Sequence, residues 1–167
     1  ASVMQGEGGR RKSGPGTLIL SGQNDYAGAT SIDEGRLAVS GAGRLGAGAV
    51  AIAAGATLDL SSASGDRGIG ALTGSGAVVL GSDRLDTLTE TNSLFGGVIS
   101  GAGSFGKGGA GKLTLTGAST YTGATVVTAG TLALAGAGRL NASSPLRMNA
   151  AAVFDISAAD GARAVGS

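Results

Sequence analysis

The chain has 167 residues, of which 34 are glycine, and it contains no cysteine and no histidine. Disulfides, thiolate metal sites and a Ser-His-Asp triad are therefore excluded within the chain. Its 12 basic and 11 acidic residues nearly balance and aromatic residues make up 3%, so we expect no nucleic-acid partner.

The glycine content admits three kinds of structure. Collagen requires glycine at every third position, and no such register runs through the chain. A disordered chain is poor in aliphatic residues, whereas leucine, valine and isoleucine recur here throughout. A solenoid with many tight corners agrees with both observations, because glycine provides the corners and the aliphatic residues provide a narrow core.

In chain order, residues 1–12 are predicted to be an N-terminal flanking segment, in which the basic run Arg10–Lys12 is solvated. β-Helix coils are predicted over residues 13–157. Residues 158–167 are predicted to be a C-terminal flanking segment, and both flanks are expected to fray. Since no apolar run is long enough to cross a bilayer, we expect no direct insertion of this chain into a membrane.

Very short strands are predicted where apolar residues alternate in triplets. The triplets start at Leu18, Leu37, Leu58, Val78, Leu113 and Leu132. Neighbouring triplets recur at a period of about 20 positions, and Val98-Ile99 supplies the turn that is missing after the fourth. Further strands at Ser31-Ile32, Val50–Ile52 and Val126-Val127 bring the number to two or three per coil. This pattern is typical of a parallel β-helix, for which about seven to eight coils are predicted.

An antiparallel sandwich or barrel is the alternative fold. Its hairpins need strands of about five to six residues and turn signals such as Asn-Gly. The chain offers shorter strands, and Asp160-Gly161 is its one dipeptide of the Asn-Gly or Asp-Gly type. The sequence therefore favours an all-β solenoid.

A longer repeat is superimposed on the coils. Residues 14–45 align without a gap with residues 109–140 at an offset of 95, and 17 of the 32 positions are identical. The shared positions include Leu18, Leu20, Gly22, Tyr26, Gly28, Thr30, Gly35 and Leu37 in the first copy, and Leu113, Leu115, Gly117, Tyr121, Gly123, Thr125, Gly130 and Leu132 in the second. We predict structural roles for them: the tyrosines pack beside the corners at Gly28 and Gly123, and Arg44 and Arg139 cap a loop. The offset is predicted to equal five turns of the solenoid.

No catalytic, cofactor or metal site is predicted. The densest acidic group is Asp83, Asp86 and Glu90, which we interpret as a polar loop rather than a catalytic or calcium site. The glycine-rich stretch Gly106–Gly111 lacks the ending of a phosphate-binding loop. Two long loops, Ser61–Gly70 and Ser82–Phe95, are the candidates for ligand contact.

The run from Gly97 to Leu132 closely resembles the autotransporter-associated β-strand repeat of passenger domains in type V secretion. The earlier copy, Gly14 to Leu37, is a looser match, since it has Pro15, Gln23 and Ala27 where the second copy has Ala110, Ala118 and Thr122. The resemblance implies a right-handed parallel β-helix outside the outer membrane. It also implies a link to efficient secretion and passenger folding.

Three hypotheses for function follow. The first is a non-catalytic stalk, a fragment of a longer rod, whose partners are an upstream passenger and a C-terminal outer-membrane barrel of the same chain. The second is an adhesin surface that binds host matrix, glycan or other cells. The third is the C-terminal support of an autotransporter serine protease whose active site lies outside these residues.

Overall fold

The computed structural model describes residues 3–161, and all of their regular structure is β. The strands are β1 (Gln5–Gly6), β2 (Arg10–Lys12), β3 (Thr17–Leu20), β4 (Asp25–Tyr26), β5 (Thr30–Ile32), β6 (Arg36–Gly41), β7 (Val50–Ile52), β8 (Thr57–Ala63), β9 (Arg67–Ile69), β10 (Leu72–Gly74), β11 (Ala77–Leu80), β12 (Leu85–Leu88), β13 (Ser93–Phe95), β14 (Ile99–Gly101), β15 (Phe105–Gly108), β16 (Lys112–Leu115), β17 (Thr125–Val127), β18 (Thr131–Gly136), β19 (Leu146–Met148) and β20 (Val153–Ala159). No helix within residues 3–161 is long and apolar enough to cross a membrane.

The strands form three faces that run along a solenoid. Face 1 is the eight-stranded sheet β2-β5-β7-β10-β13-β16-β18-β20, and face 2 is the sheet β3-β6-β8-β11-β14. Face 3 is the sheet β9-β12-β15-β17-β19, and the pair β1-β4 occupies the same part of the coil nearer the N-terminus. Every ladder between the described strands is parallel. The predicted parallel β-solenoid of about eight coils is therefore confirmed.

The length of a coil is measured by the sequence separation of paired residues on face 1. Arg10 pairs with Thr30, Thr30 with Val50 and Val50 with Leu72, so one coil takes up about 20 positions of the chain. The shortest step on this face joins Leu113 to Leu132. Each strand therefore pairs with a segment one coil away, so the contacts are local in sequence compared with those of a sandwich.

The core is a narrow column of aliphatic side chains inside the three faces. Inward positions stack in register, as with Leu58 against Val78 and Val78 against Ile99 on face 2, and all three are fully buried. Each such side chain contributes about 1.5–3 kcal/mol on burial. Fixing a backbone residue costs about 1–2 kcal/mol, so a lone coil does not stand and neighbouring coils must stack.

The two copies of the repeat do not lie on the same faces, and the prediction that their offset equals five turns is wrong. Five steps back along face 1 lead from Leu113 to Arg10, whereas Leu18 lies on face 2. The coils between the copies are longer than the step from Leu113 to Leu132, so five of them take up more than 95 positions. The second copy therefore lies one face before the place that five full coils would give it. The same sequence thus builds the same structure on two different faces.

The first triplet differs from its partner in burial. Leu113 is fully buried, but Leu18 is 42% exposed and Ile19 is 61% exposed, while Leu20 is buried. The reason is position: β3 is the outermost strand of face 2, so no strand covers its second edge among the described residues. Burial of a solenoid position depends on both neighbouring coils.

The N-terminal basic run is a strand rather than an unpaired flank, and its lysine is buried. Arg10–Lys12 forms β2, which pairs with β5, and Lys12 is buried. Its side chain finds backbone carbonyl partners, which a charge-run argument does not foresee. At the other end β20 includes Ala158 and Ala159. The rest of the predicted fraying, at residues 1–2 and 162–167, lies outside the described residues.

The two predicted long loops contain strands. Ser61–Gly70 includes the end of β8 and all of β9, and Ser82–Phe95 includes β12 and β13. These strands were predicted as loops because their sequences are rich in polar residues. The outward positions of the strands carry charges, such as Asp86, which pairs with Gly68. The segments are walls of the solenoid with short turns.

Candidate functional site: the paired repeat units

Each repeat contains one buried tyrosine that bonds to the threonine of the same copy. Tyr26 Oη lies 2.7 Å from Thr30 Oγ1, and Tyr121 Oη lies 2.5 Å from Thr125 Oγ1. Both rings are buried, and that of Tyr121 lies 6.1 Å from the ring of Phe105. The threonine satisfies the one polar atom that each ring would otherwise leave unpaired in the core.

The unsubstituted chain is expected to lose stability at alkaline pH as Tyr121 ionises, and Tyr121→Phe is expected to abolish this part of the loss. Burial raises the pKa of Tyr121 from 10.0 to about 12, against the opposing effect of its hydrogen bond to Thr125. The folded chain holds this phenolic proton more tightly than the unfolded chain does. Its contribution to the free energy of unfolding is therefore fully present below about pH 10, and it is lost between pH 10 and about 12 at about 1.4 kcal/mol per pH unit. Urea unfolding across this range measures it. An unchanged pH slope in the variant would contradict the prediction.

A left-handed glycine follows the tyrosine in each copy. Gly35 has φ +66° and Gly130 has φ +63°. An added Cβ at Gly130 would lie 2.5 Å from the carbonyl oxygen of Gly109 and 2.8 Å from that of Ala110. Only glycine combines this backbone conformation with so close an approach to the turn of the preceding coil. The repeated glycine is therefore a coil-contact position.

A buried lysine at the start of each repeat joins two coils. Lys107 is fully buried, and its Nζ donates to the carbonyl oxygens of Gly108 at 2.8 Å, Gly109 at 2.8 Å and Ala129 at 3.2 Å. The first two acceptors belong to the adjacent turn and the third to the next coil. Burial lowers the pKa of the Lys107 ammonium, and the carboxylate of Glu90 opposes this shift.

Lys12 repeats this arrangement in the first copy. Its Nζ donates to the carbonyl oxygens of Ser13 at 3.0 Å, Gly14 at 2.6 Å and Glu34 at 3.1 Å. These acceptors hold the same positions relative to the lysine as those in the second copy. We call Lys12 and Lys107 the clamp lysines. Three charge-assisted bonds satisfy three carbonyl oxygens and fix the distance from one turn to the next.

Sequence reasoning missed the clamp lysines. The alignment of the two copies began at Gly14 and Gly109, just after them. Extending it upstream pairs Lys12 with Lys107, which was the available signal. A lysine in a sequence is normally predicted to be solvated. The carbonyl oxygens that accept its hydrogen bonds come together only when the coils stack, so the sequence does not show them.

The predicted acidic group is dispersed by the fold. Asp83 accepts from the backbone N–H of Gly65 at 2.7 Å, and Asp86 pairs with Arg84 at 2.8 Å. Glu90 accepts from the N–H of Ala110 at 3.2 Å. Each carboxylate has a local partner, and among the described residues no three acidic side chains are grouped to hold a metal ion.

The repeated arginines sit at matching bridges. Arg44 forms an isolated parallel bridge with Gln23, and Arg139 forms one with Ala118. In the first copy Arg44 Nε also donates to the carbonyl oxygen of Asn24 at 3.3 Å. Both arginines are exposed. Each follows a tight turn, which in the first copy is closed by the bond from the N–H of Gly43 to the carbonyl oxygen of Ser40.

Comparison with known families agrees with the geometry of the repeats. A family model described as the passenger-associated transport repeat matches residues 11–39 and 105–134. Both matches include the clamp lysine, the tyrosine and the left-handed glycine. The chain carries the transport repeats of an autotransporter passenger. Such passengers are secreted through the outer membrane to the bacterial cell surface, and this is the location of the chain.

One curated relative is an autotransporter adhesin of Brucella suis biovar 1 (strain 1330), named Adhesin BmaC autotransporter. It is 46% identical to the chain over 57 residues, which are 33% of this chain and 2% of that protein. The match thus relates a short part of this passenger to a small part of a much longer protein. No solved structure matches the chain.

Proposed function

We propose that this passenger sequence is a non-catalytic stalk that supports translocation across the outer membrane and folding outside it. The observation that carries the proposal is the self-contained architecture of each transport repeat. The strand that follows the clamp lysine pairs with a later strand of the same copy, as Leu18 does with Leu37 and Leu113 with Leu132. A repeat therefore holds both sides of this ladder.

Such a repeat closes a coil from local sequence. Among the described strands, the partners in each of these ladders lie closer in sequence than those of the other ladders on the same face. The loop-closure entropy of such a coil is modest, and it is nearly the same for the other coils because closure depends only weakly on length. The clamp lysine then bonds across the two turns. A closed coil outside the membrane offers its edge as a template for the next coil, and this opposes backward movement through the pore. A C-terminal outer-membrane barrel and an upstream passenger of the same chain are the proposed partners.

Deleting one coil from a repeat tests the stalk role. Removing residues 112–130 from the full-length parent joins Gly111 to Thr131, which takes the register of Lys112. Removing residues 57–76 deletes one coil outside both repeats, and Ala77 takes the register of Thr57. Because both deletions keep the ladders in register, they differ mainly in the repeat.

We expect the deletion of residues 112–130 to lower the amount of surface-exposed, protease-resistant passenger several-fold, since small stability losses change steady-state abundance by this order. The deletion of residues 57–76 should have a much smaller effect. Measurement is by immunoblot of surface-digested cells and of the outer-membrane fraction. Equal secretion by the two deletion variants would refute a special role for the repeat.

A second candidate function is a ligand-binding surface. The relative from Brucella suis is named as an adhesin, and the passenger has an open polar cleft on one side of its first repeat. In this role the passenger would bind host matrix, a glycan or another cell. The stalk and surface roles are compatible, because they use different parts of the coil.

A further inference from the structure

The third face of the solenoid is interrupted next to the first repeat, and a cleft opens there. The pair β1-β4 ends at Tyr26, and regular pairing on face 3 resumes at Arg67. Between them the coil around Arg44 forms only an isolated bridge. The cleft has a volume of about 480 Å³, within the range of small-ligand sites in proteins.

The guanidinium groups in this cleft differ in what remains available to a ligand. Arg67 donates to four backbone carbonyl oxygens, those of Gly41, Ser64, Gly65 and Asp66, so its terminal nitrogens are occupied and the group is held rigidly. Its Nε is buried and has no partner among the described residues. Arg44 donates only through Nε, at 3.3 Å, and its terminal nitrogens have no protein partner within residues 3–161.

Carboxylate acceptors complete the lining. Asp25, on β4, has no side-chain partner among residues 3–161, and Asp66 uses one oxygen to accept the N–H of Arg84 at 2.9 Å. Asn24 is held in place at both ends of its amide, since Oδ1 accepts from the N–H of Met4 and Nδ2 donates to the carbonyl oxygen of Arg44. Leu45 gives the wall an apolar part. The cleft thus presents one free guanidinium fork beside free carboxylate oxygens.

We infer that this cleft binds a neutral saccharide through Arg44, Asp25 and Asp66. A hydroxyl group both donates and accepts hydrogen bonds, so adjacent hydroxyls accept from Arg44 and donate to the carboxylates. The lining carries both carboxylates and guanidinium groups, so it gives no net preference for an anion or a cation. A ring with one apolar side also covers Leu45. The inference rests on the proposed surface role and is independent of the stalk role.

Titration of the ¹⁵N-labelled chain with neutral oligosaccharides tests the inference. The probes are lactose, maltotriose, cellotriose and chitobiose, followed by NMR at Arg44 Nε–H and the Gly68 amide. We expect at least one probe to shift these signals with saturation. Arg44→Gln and Asp25→Asn should each abolish the shift at Gly68. Arg139→Gln is the matched control, because Arg139 holds the same repeat position and bridge but does not line this cleft.

Two outcomes overturn the inference. One is the absence of a saturable shift with all four sugars. The other is a shift at these signals produced only by an anionic heparin disaccharide or by a short matrix peptide, which would assign the cleft to another ligand class. Circular dichroism and urea midpoints of the variants establish that they fold. Neither outcome bears on secretion of the coil-deletion variants, so failure here and failure of the stalk role are distinguishable.

Discussion

Lys107→Met lowers the free energy of unfolding by about 2–4 kcal/mol, because three carbonyl oxygens at a buried corner lose a charged donor. The ammonium of Lys107 is fully buried and bonds to two coils, and methionine fills the space without donating. The coil that contains Ala129 should loosen first. Urea unfolding measures the total loss, and hydrogen exchange at the amides of Gly109 and Thr131 locates it.

Lys112→Met is the matched control. Lys112 lies on the next strand, its side chain is 42% exposed, and it pairs with Asp155 at 3.1 Å on the outside of face 1. Exposed ion pairs of this kind contribute about 0–1 kcal/mol. A loss at Lys107 no greater than that at Lys112 would show that the clamp does not hold the coils. The clamp would then be a consequence of stacking.

Gly130→Ala is expected to destabilise the passenger by about 2–5 kcal/mol, which combines two effects. The left-handed backbone conformation accounts for about 1–2 kcal/mol, and overpacking against the preceding turn for about 1–3 kcal/mol more. The carbonyl oxygens of Gly109 and Ala110 are part of the backbone, so they cannot rotate away as a side chain would. The urea midpoint and the heat-denaturation temperature measure the loss.

Gly55→Ala separates the two causes. Gly55 has φ +81°, but no heavy atom lies within 4 Å of the position of its Cβ. Its substitution should therefore cost only the conformational part, about 1–2 kcal/mol. Equal losses at Gly55 and Gly130 would mean that the close approach between coils has no energetic consequence.

The clamp and the left-handed glycine act on the same two turns. The Lys107 ammonium bonds to Gly109, and Gly130 packs against the carbonyl of that residue from the next coil. Both features therefore fix how a new coil is placed on a finished one. A passenger that folds outside the cell in one direction needs this placement at each step, which connects the geometry of the repeat to its proposed part in secretion.

The offset of the repeats shows how far local sequence determines structure. Each copy builds the same tyrosine–threonine bond, the same left-handed glycine and the same lysine clamp, although the copies lie on different faces. The repeat is therefore a property of its own sequence and of the coil stacked on it. The face on which it lies depends on the length of the coils between the copies.

The sequence by itself determined the strand type, the parallel solenoid and the repeated positions, because the alternation of apolar residues and their regular recurrence are local patterns. The tertiary structure decided what depends on a neighbouring coil. It exposed Leu18 and buried Leu113, and it turned Lys12 from a solvated charge into a clamp. It also left an open cleft beside Arg44, where pairing of the third face is interrupted. These three outcomes have one physical reason. The burial of a side chain, the carbonyl acceptors of a lysine and the cleft in a face all arise from the contact between neighbouring coils, so the sequence of one coil does not determine them.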